Sequence, residues 1–242
     1  MAIAFTFPGQ GSQSVGMGKA LAEASPAAKR VFDEVDAALG EKLSTLMWEG
    51  PEAELTLTAN TQPALMAVSL AVVAALAERS VTIGAKATYV AGHSLGEYSA
   101  LAAAGSLSIA DAARLLRTRG RAMQAAVPVG EGAMAALLGL DFAQAAEVAA
   151  EAAQGAVCQA ANDNANGQVV VSGTKAAVER AVEIAKAKGA KRAMLLNVSA
   201  PFHCALMQPA ADAMAEALAG VDIKAPVVPL VANVLARPIT DP

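Results

Sequence analysis

Aromatic side chains are scarce, with one Trp, two Tyr and five Phe among 242 residues. A chain so poor in rings yet 55% hydrophobic must build its core from alanine, valine, leucine and methionine. That composition favours close helix packing and α/β layers over a β-sandwich. Charge is thin as well, at 17% of residues, and the net charge of −4 lacks the basic excess that a phosphate backbone requires, which argues against nucleic acid as a partner. The two cysteines, Cys158 and Cys204, supply neither a metal-ligand pattern nor a disulfide framework. The N-terminal "MAIAFTFPGQGSQ" has no basic leader and turns polar after seven residues, so no signal peptide is expected and the chain reads as cytoplasmic. The most apolar run, "PALMAVSLAVVAALAE" at 63–78, holds 14 residues between Pro63 and Glu78, short of the ~20 that cross a bilayer. A buried core helix is expected there, with no membrane as partner. Histidine is nearly absent: only His93 and His203 occur.

What is present alternates strands and helices. "AIAFTF" reads as a strand stopped by Pro8-Gly9. Residues 26–39 predict a helix with Ser25 as N-cap, Pro26 at its first position and Gly40 as its stop. The 63–78 helix is followed by a strand, "ATYVAG", that runs into a sharp turn at Ser94 and an alanine-rich helix. Ser108 and Asp111 resemble a capping box that opens a helix to about residue 126. Strands are then expected at 132–140, 156–161, 168–173 and 190–198, helices at 141–154 and 174–189, and a turn at 162–167. That β-α-β-β-α-β order is the ferredoxin-like one. A helix at 204–219 and a strand, "VVPLVANV", close the chain.

Gly92-His93-Ser94-Leu95-Gly96, set between a strand and a helix, has the layout of a nucleophile elbow. The glycines let strand and helix approach and thrust the serine hydroxyl outward, while the N–H of Leu95 points where an oxyanion would form, at a positive helix end. The plainer alternative is that Ser94 caps the helix. A nucleophilic serine needs a base. His93 adjoins Ser94, so its side chain leaves the elbow in another direction and reads as a packing residue or neighbour. His203, in a loop after an expected strand, is the remaining imidazole; a buried structural histidine is the alternative. The expected architecture is therefore α/β. A large α/β-hydrolase-like domain with a parallel sheet and the elbow covers 1–130 and 199–242, and a ferredoxin-like subdomain is inserted at 131–198.

On the 108–126 helix, Ala112, Leu115, Leu116, Arg119 and Met123 share one face, and Arg114, Arg117 and Arg121 lie opposite. Three arginines are thus expected in solvent and Arg119 within the apolar stripe. A buried guanidinium must have a partner, which is either an internal carboxylate or the carboxylate or phosphate of a substrate.

"FPGQGSQ", Phe7 to Gln13, is a glycine-rich loop without a phosphate-binding pattern, and it suits a second oxyanion donor facing the elbow. Together with "GHSLGEYSAL", "RTRGRAMQ" at 117–124 and "SAPFHCALM" at 199–207, this loop makes the whole chain resemble the malonyl-CoA:acyl-carrier-protein transacylases of the acyltransferase family. The resemblance implies Ser94 as acylated nucleophile, His203 as base, Arg119 as clamp on the malonyl carboxylate, and the amides of Gln10 and Leu95 as oxyanion hole. It also implies Asn162 and Asn164 as substrate neighbours, although a turn uses asparagines in any case. Leu95 and Phe202 resemble the malonyl-selective members. Malonyl-CoA and acyl carrier protein are the implied partners, with transfer by a ping-pong route in fatty acid synthesis and no cofactor or metal. Family members are expected to run some tens of residues past "NVLARPITDP", through a glutamine region that orients the histidine. The densest basic run, "KAKGAKR" at 186–192, could face an acidic carrier protein, but a solvated helix end explains it more simply.

Two rival functions fit parts of the same pattern. A serine esterase would need an acid between serine and histidine, with Asp163 as the placed candidate. A truncated, inactive member would bind the carrier protein without forming an acyl-serine.

Overall fold

"AFTF" forms β1 (Ala4–Phe7) in the computed structural model, which describes residues 2–128, 130–198 and 200–242. Ser199, the first residue of the "SAPFHCALM" motif, lies outside the described residues. Then come α1 (Lys19–Ala24), α2 (Pro26–Leu39), α3 (Leu43–Glu49), α4 (Glu52–Leu55), α5 (Thr58–Ala77) and α6 (Ile83–Lys86). β2 (Tyr89–Gly92), α7 (Gly96–Ala103) and α8 (Ile109–Ala126) follow, then β3 (Gly132–Leu138), α9 (Phe142–Ala153), β4 (Cys158–Ala165), β5 (Gln168–Thr174), α10 (Lys175–Ala187) and β6 (Arg192–Leu195). A 3-10 turn at Ala205–Met207 leads into α11 (Gln208–Ala219), and β7 (Leu230–Ala232) and β8 (Arg237–Ile239) finish the chain. The described residues divide into two compact units, Met1–Gly120 with Glu216–Pro242, and Arg121–Ala215.

In the first unit the sheet order is β1-β2-β7-β8. β1 pairs parallel to β2 from Ala4↔Tyr89 to Phe7↔Gly92, and β2 pairs parallel to β7. β8 runs antiparallel to β7, so the parallel sheet that was expected is mixed at this edge. Phe7, Val90, Ala100, Ala104, Val228 and Leu230 form a buried cluster around it, with the small alanines letting α7 lie close. α2 starts and stops as its sequence predicts: the Ser25 hydroxyl accepts the Ala28 N–H at 3.0 Å, and Gly40 is left-handed at φ 67°.

α5 differs from expectation. It is 20 residues long and begins at Thr58, with Pro63 inside it. By length and composition it could cross a bilayer, but residues from Thr58 to Ala71 are largely buried within the unit, as in a core helix. Proline at the sixth position deprives the Ala59 carbonyl of its usual i+4 donor. Arg117 of α8 donates to that carbonyl at 2.8 Å instead. The helix therefore continues past a residue that reads in sequence as its beginning.

The second unit holds a four-stranded antiparallel sheet in the order β4-β5-β3-β6. Period-two alternation sorts its strands. Ala135, Leu137, Val169 and Val171 face a core shared with α9 and α10, while Met134 and Val170 join a second cluster with Phe202 and Met207. The expected turn at 162–167 shrinks to Asn166-Gly167, because Ala165 still pairs with Gln168 and Gly167 supplies the positive φ of 73°. Asn162 and Asn164 are therefore strand residues rather than turn residues, and register shifts interrupt the ladder between Ala160 and Asn162 and between Asp163 and Ala165.

Candidate active site

β2 delivers Ser94 at the carboxyl end of a parallel strand, where α/β sheets place their ligands. The residue is left-handed at φ 53°, a conformation that a serine keeps only when its surroundings impose it. The surroundings are tight. A Cβ on Gly92 would overlap the carbonyl of Gly96, and one on Gly96 would overlap the carbonyls of Phe7 and Pro8. Strand, turn, helix and the 7–10 loop therefore meet backbone to backbone, as the sequence pattern requires. Leu95 leads into α7 with its side chain 1% exposed, and its N–H belongs to the first donors of the helix, which have no acceptor within it.

Asn233, just after β7, completes the elbow. Its Oδ1 accepts the Ser94 N–H at 2.8 Å, its Nδ2 donates to the Gly92 carbonyl at 2.5 Å, and its own N–H reaches Glu97 Oε1 at 3.2 Å. Nothing in the sequence reading marked this residue; a polar residue straight after the apolar "LVA" was the available signal.

Arg119 reaches the serine. Its Nη2 donates to Ser94 Oγ at 3.0 Å and its Nη1 to Gln62 Oε1 at 2.7 Å, and its guanidinium lies 5.9 Å from the Tyr98 ring centre. Burial pulls the guanidinium below its ordinary value, opposed by electrostatic attraction to Tyr98 and Glu97, and it remains a cation at neutral pH. Burial likewise pushes the Glu97 carboxyl up, against the Asn233 N–H and the Arg119 charge. Among the described residues no carboxylate forms an ion pair with Arg119. Of the two partners expected for a buried arginine, the internal carboxylate is thus not the one found. Gln62, 1% exposed on α5, was missed by the sequence reading; a buried amide at the head of an apolar helix was its trace.

Arg117 requires a correction. It was expected in solvent and is 7% exposed. It ion-pairs with Glu41 and bonds Asn60 and the Ala59 carbonyl. The cause is the added first turn of α5, which lies against α8 so closely that a Cβ on Gly120 would strike the Ala59 backbone. That turn covers both the Arg117 and the Arg119 sides of α8.

Gln10 anchors its side chain on Thr58, donating from Nε2 to Oγ1 at 3.0 Å. The preceding Gly9 packs under the His93 ring, where a Cβ would meet Nδ1, so His93 supports the loop that carries Gln10.

The other candidates belong to the second unit. His203 is exposed and left-handed at φ 60°. Only five described non-glycine residues have positive φ, and Ser94 and His203 are two of them. Its neighbours fix the loop. Phe202 is buried in the apolar cluster with Met134, Val170 and Met207, Cys204 Sγ donates to the Pro201 carbonyl at 3.2 Å, and the Ala205 N–H donates to Gln159 Oε1 at 2.7 Å. Phe202 thus packs as a core residue. Asn162 is half-buried, whereas Asn164 and Asp163 are exposed on β4. Among the described residues no group of three or more His, Cys, Asp or Glu could hold a metal ion. In the basic run, Lys186 pairs with Glu183 and Lys188 with Glu151, each at 2.8 Å, as a solvated helix end would.

Comparison with known proteins gives the pattern a family. Residues 4–241 match the acyl transferase domain. The chain is 53% identical to a malonyl CoA-acyl carrier protein transacylase of Bacillus subtilis over 99% of its own length and 74% of the relative's. The crystal structure of an acyl-carrier-protein S-malonyltransferase from Bartonella henselae superposes with a TM-score of 0.96 at 61% identity, covering 100% of this chain and 77% of that one. A malonyl-transacylase in complex with a type II PKS acyl-carrier protein superposes at 0.94 with 46% identity, covering 100% of this chain and 77% of that one.

Proposed function

The chain belongs to the acyl transferase domain family, and we propose that its reaction is built on Ser94, His203 and Arg119. The protein moves a malonyl group from malonyl-CoA to the phosphopantetheine thiol of acyl carrier protein in two half-reactions. In the first, Ser94 Oγ attacks the thioester carbonyl while the His203 imidazole takes its proton. The N–H groups of Gln10 and Leu95 hold the oxyanion, the C–S bond breaks, and the coenzyme A sulfur leaves with the proton from His203. In the second, His203 deprotonates the carrier thiol, which attacks the malonyl ester, and Ser94 recovers its proton as it leaves. The first half-reaction exchanges a thioester for an oxygen ester and the second reverses it, so the overall transfer is thioester for thioester and needs no oxidant.

The observation that carries this reading is a buried guanidinium, unpaired with any described carboxylate, whose Nη2 lies 3.0 Å from Ser94 Oγ. The malonyl carboxylate is separated from the reacting carbonyl by one methylene, so a carboxylate clamp must sit beside the nucleophile. Gln62 holds the far side of that clamp at 2.7 Å. Leu95 and Phe202 are proposed to shape a site selective for malonyl, and Asn162 and Asn164 to neighbour the substrate, supported by the bulged course of β4.

The finer architecture belongs to the same proposal. Numbered within the second unit, the strand order reads 4-1-3-2 and antiparallel, which supports an inserted ferredoxin-like subdomain at 131–198. The elbow at the end of a parallel strand supports a hydrolase-like large domain at 1–130 and 199–242.

The test is intact mass after brief incubation with malonyl-CoA or acetyl-CoA. A malonyl adduct is expected on the parent and none on Ser94→Ala. Arg119→Ala should acylate from malonyl-CoA on the order of 10²-fold more slowly, the loss expected when one partner of a buried charge pair is removed. Equal labelling of the parent by acetyl-CoA would overturn the clamp.

A further inference from the structure

Ser94 occupies a left-handed backbone conformation, and one side chain from the turn after β7 bonds the backbone on both sides of it. Asn233 Oδ1 accepts the Ser94 N–H at 2.8 Å and Nδ2 donates to the Gly92 carbonyl at 2.5 Å. The Asn233 main chain adds a third link, donating at 3.2 Å to Glu97 in the first turn of α7. Strand β2, the elbow and helix α7 are thus tied to a single residue at the end of β7. We infer that Asn233 is a positioning residue for the acyl transfer, which rests on the reading of Ser94 as the nucleophile.

Two physical consequences follow from the amide. First, a left-handed serine is unfavourable by itself, and the bonded N–H and carbonyl on either side of the turn hold it in that well. A primary amide suits the position because it accepts and donates at once; a carboxylate could accept from Ser94 N–H but would face the Gly92 carbonyl with an oxygen. Second, the Ser94 N–H is already engaged, so it is withdrawn from the developing oxyanion. Stabilisation of that charge is left to the next N–H, at Leu95, and to the glycine-rich loop. Asn233 therefore sets both where Ser94 Oγ stands and which amide serves the oxyanion. Losing it displaces the nucleophile without removing any group that binds malonyl-CoA.

The experiment compares the parent chain with Asn233→Ala, Asn233→Asp and Ser94→Ala. Single-turnover acylation is followed by intact mass over a range of malonyl-CoA concentrations, and exchange of the Ser94 amide is followed by NMR. Asn233→Ala should lower the maximal acylation rate about 10²-fold, the loss typical of a reacting group moved by an ångström, with half-saturation changed less than about threefold. Its Ser94 amide should exchange at least about tenfold faster than the parent's at unchanged thermal midpoint. Asn233→Asp, nearly the same shape, should keep the amide protected yet acylate as slowly, and it carries the kinetic test if Asn233→Ala does not fold. A folded variant that acylates within threefold of the parent, or a loss residing wholly in half-saturation, overturns the inference. A parent that forms no Ser94 adduct at all refutes the nucleophile reading instead. In that case the role in acyl transfer falls with it, and the amide exchange of Asn233→Ala shows only whether Asn233 holds the Ser94 backbone.

Discussion

At the scale of residues, the site is a set of groups whose environments work against their charges. Arg119 keeps its charge although burial opposes it, and its bonding partners are a serine hydroxyl and a glutamine amide. Burial raises the Glu97 carboxyl above its ordinary value, with the Asn233 N–H and Arg119 pulling the other way. The sign follows from proton counting. Above 4.5, the ordinary value, the unfolded chain has begun to release the Glu97 proton while the native chain still holds it. The native state then binds more protons, so the Glu97 contribution to stability falls as pH rises until the native group has ionised too. Urea midpoints measured from pH 4 upward should show that decline, and Glu97→Gln, which can still accept from Asn233, should flatten it. A parent and variant with parallel pH profiles would mean that Glu97 is not the titrating group. Ser94 and Arg119 were both legible in the sequence, one from its glycines and one from its place on an apolar helix face. Gln62 and Asn233 were not, because a polar residue acquires a role only through what the fold sets against it.

Elements bring these groups together through their ends. α2 shows how much of an end is written locally: the Ser25 hydroxyl caps Ala28 N–H, Glu78 accepts from both Ser25 Oγ and the Ala27 N–H, and Gly40 closes the helix. Ser25→Ala should destabilise the protein by about 1 kcal/mol, which in a chain of this size lowers the thermal midpoint by roughly 2–4 °C. An unchanged midpoint would show that Glu78 suffices as the cap. α5 shows the opposite case. A proline ahead of an apolar run reads as a helix start, yet here the helix begins five residues before Pro63, at Thr58, and Arg117 serves the carbonyl that proline leaves without its N–H. The same extra turn buries Arg117 with Glu41 and brings Gln62 to Arg119. The short helices α1, α3, α4 and α6, with four to seven residues each, had no sequence signature because they are too short to show a helical period.

At the scale of the whole molecule, two compact units have cores of different make. The first packs helices and a mixed sheet around Phe7, Val90 and Leu230; the second sets α9 and α10 on an antiparallel sheet whose interior is alanine, valine and leucine. Leu137, fully buried in that second core, should lose about 2–5 kcal/mol of stability on replacement by alanine. Hydrogen exchange should place the weakened protection in β3–β6, and protection lost evenly over both units would contradict separate cores. Chain order, the elbow with its glycines, the caps of α2 and the existence of strands β3 and β5 were all determined by the sequence alone, since each depends on neighbours within a few residues. Tertiary structure decided the rest: the true start of α5, the burial of Arg117, the shortening of the 162–167 turn, and the partners of Ser94 and Arg119. Those depend on groups such as Asn233, 139 residues from Ser94 along the chain, whose contacts exist only once distant strands have been set side by side.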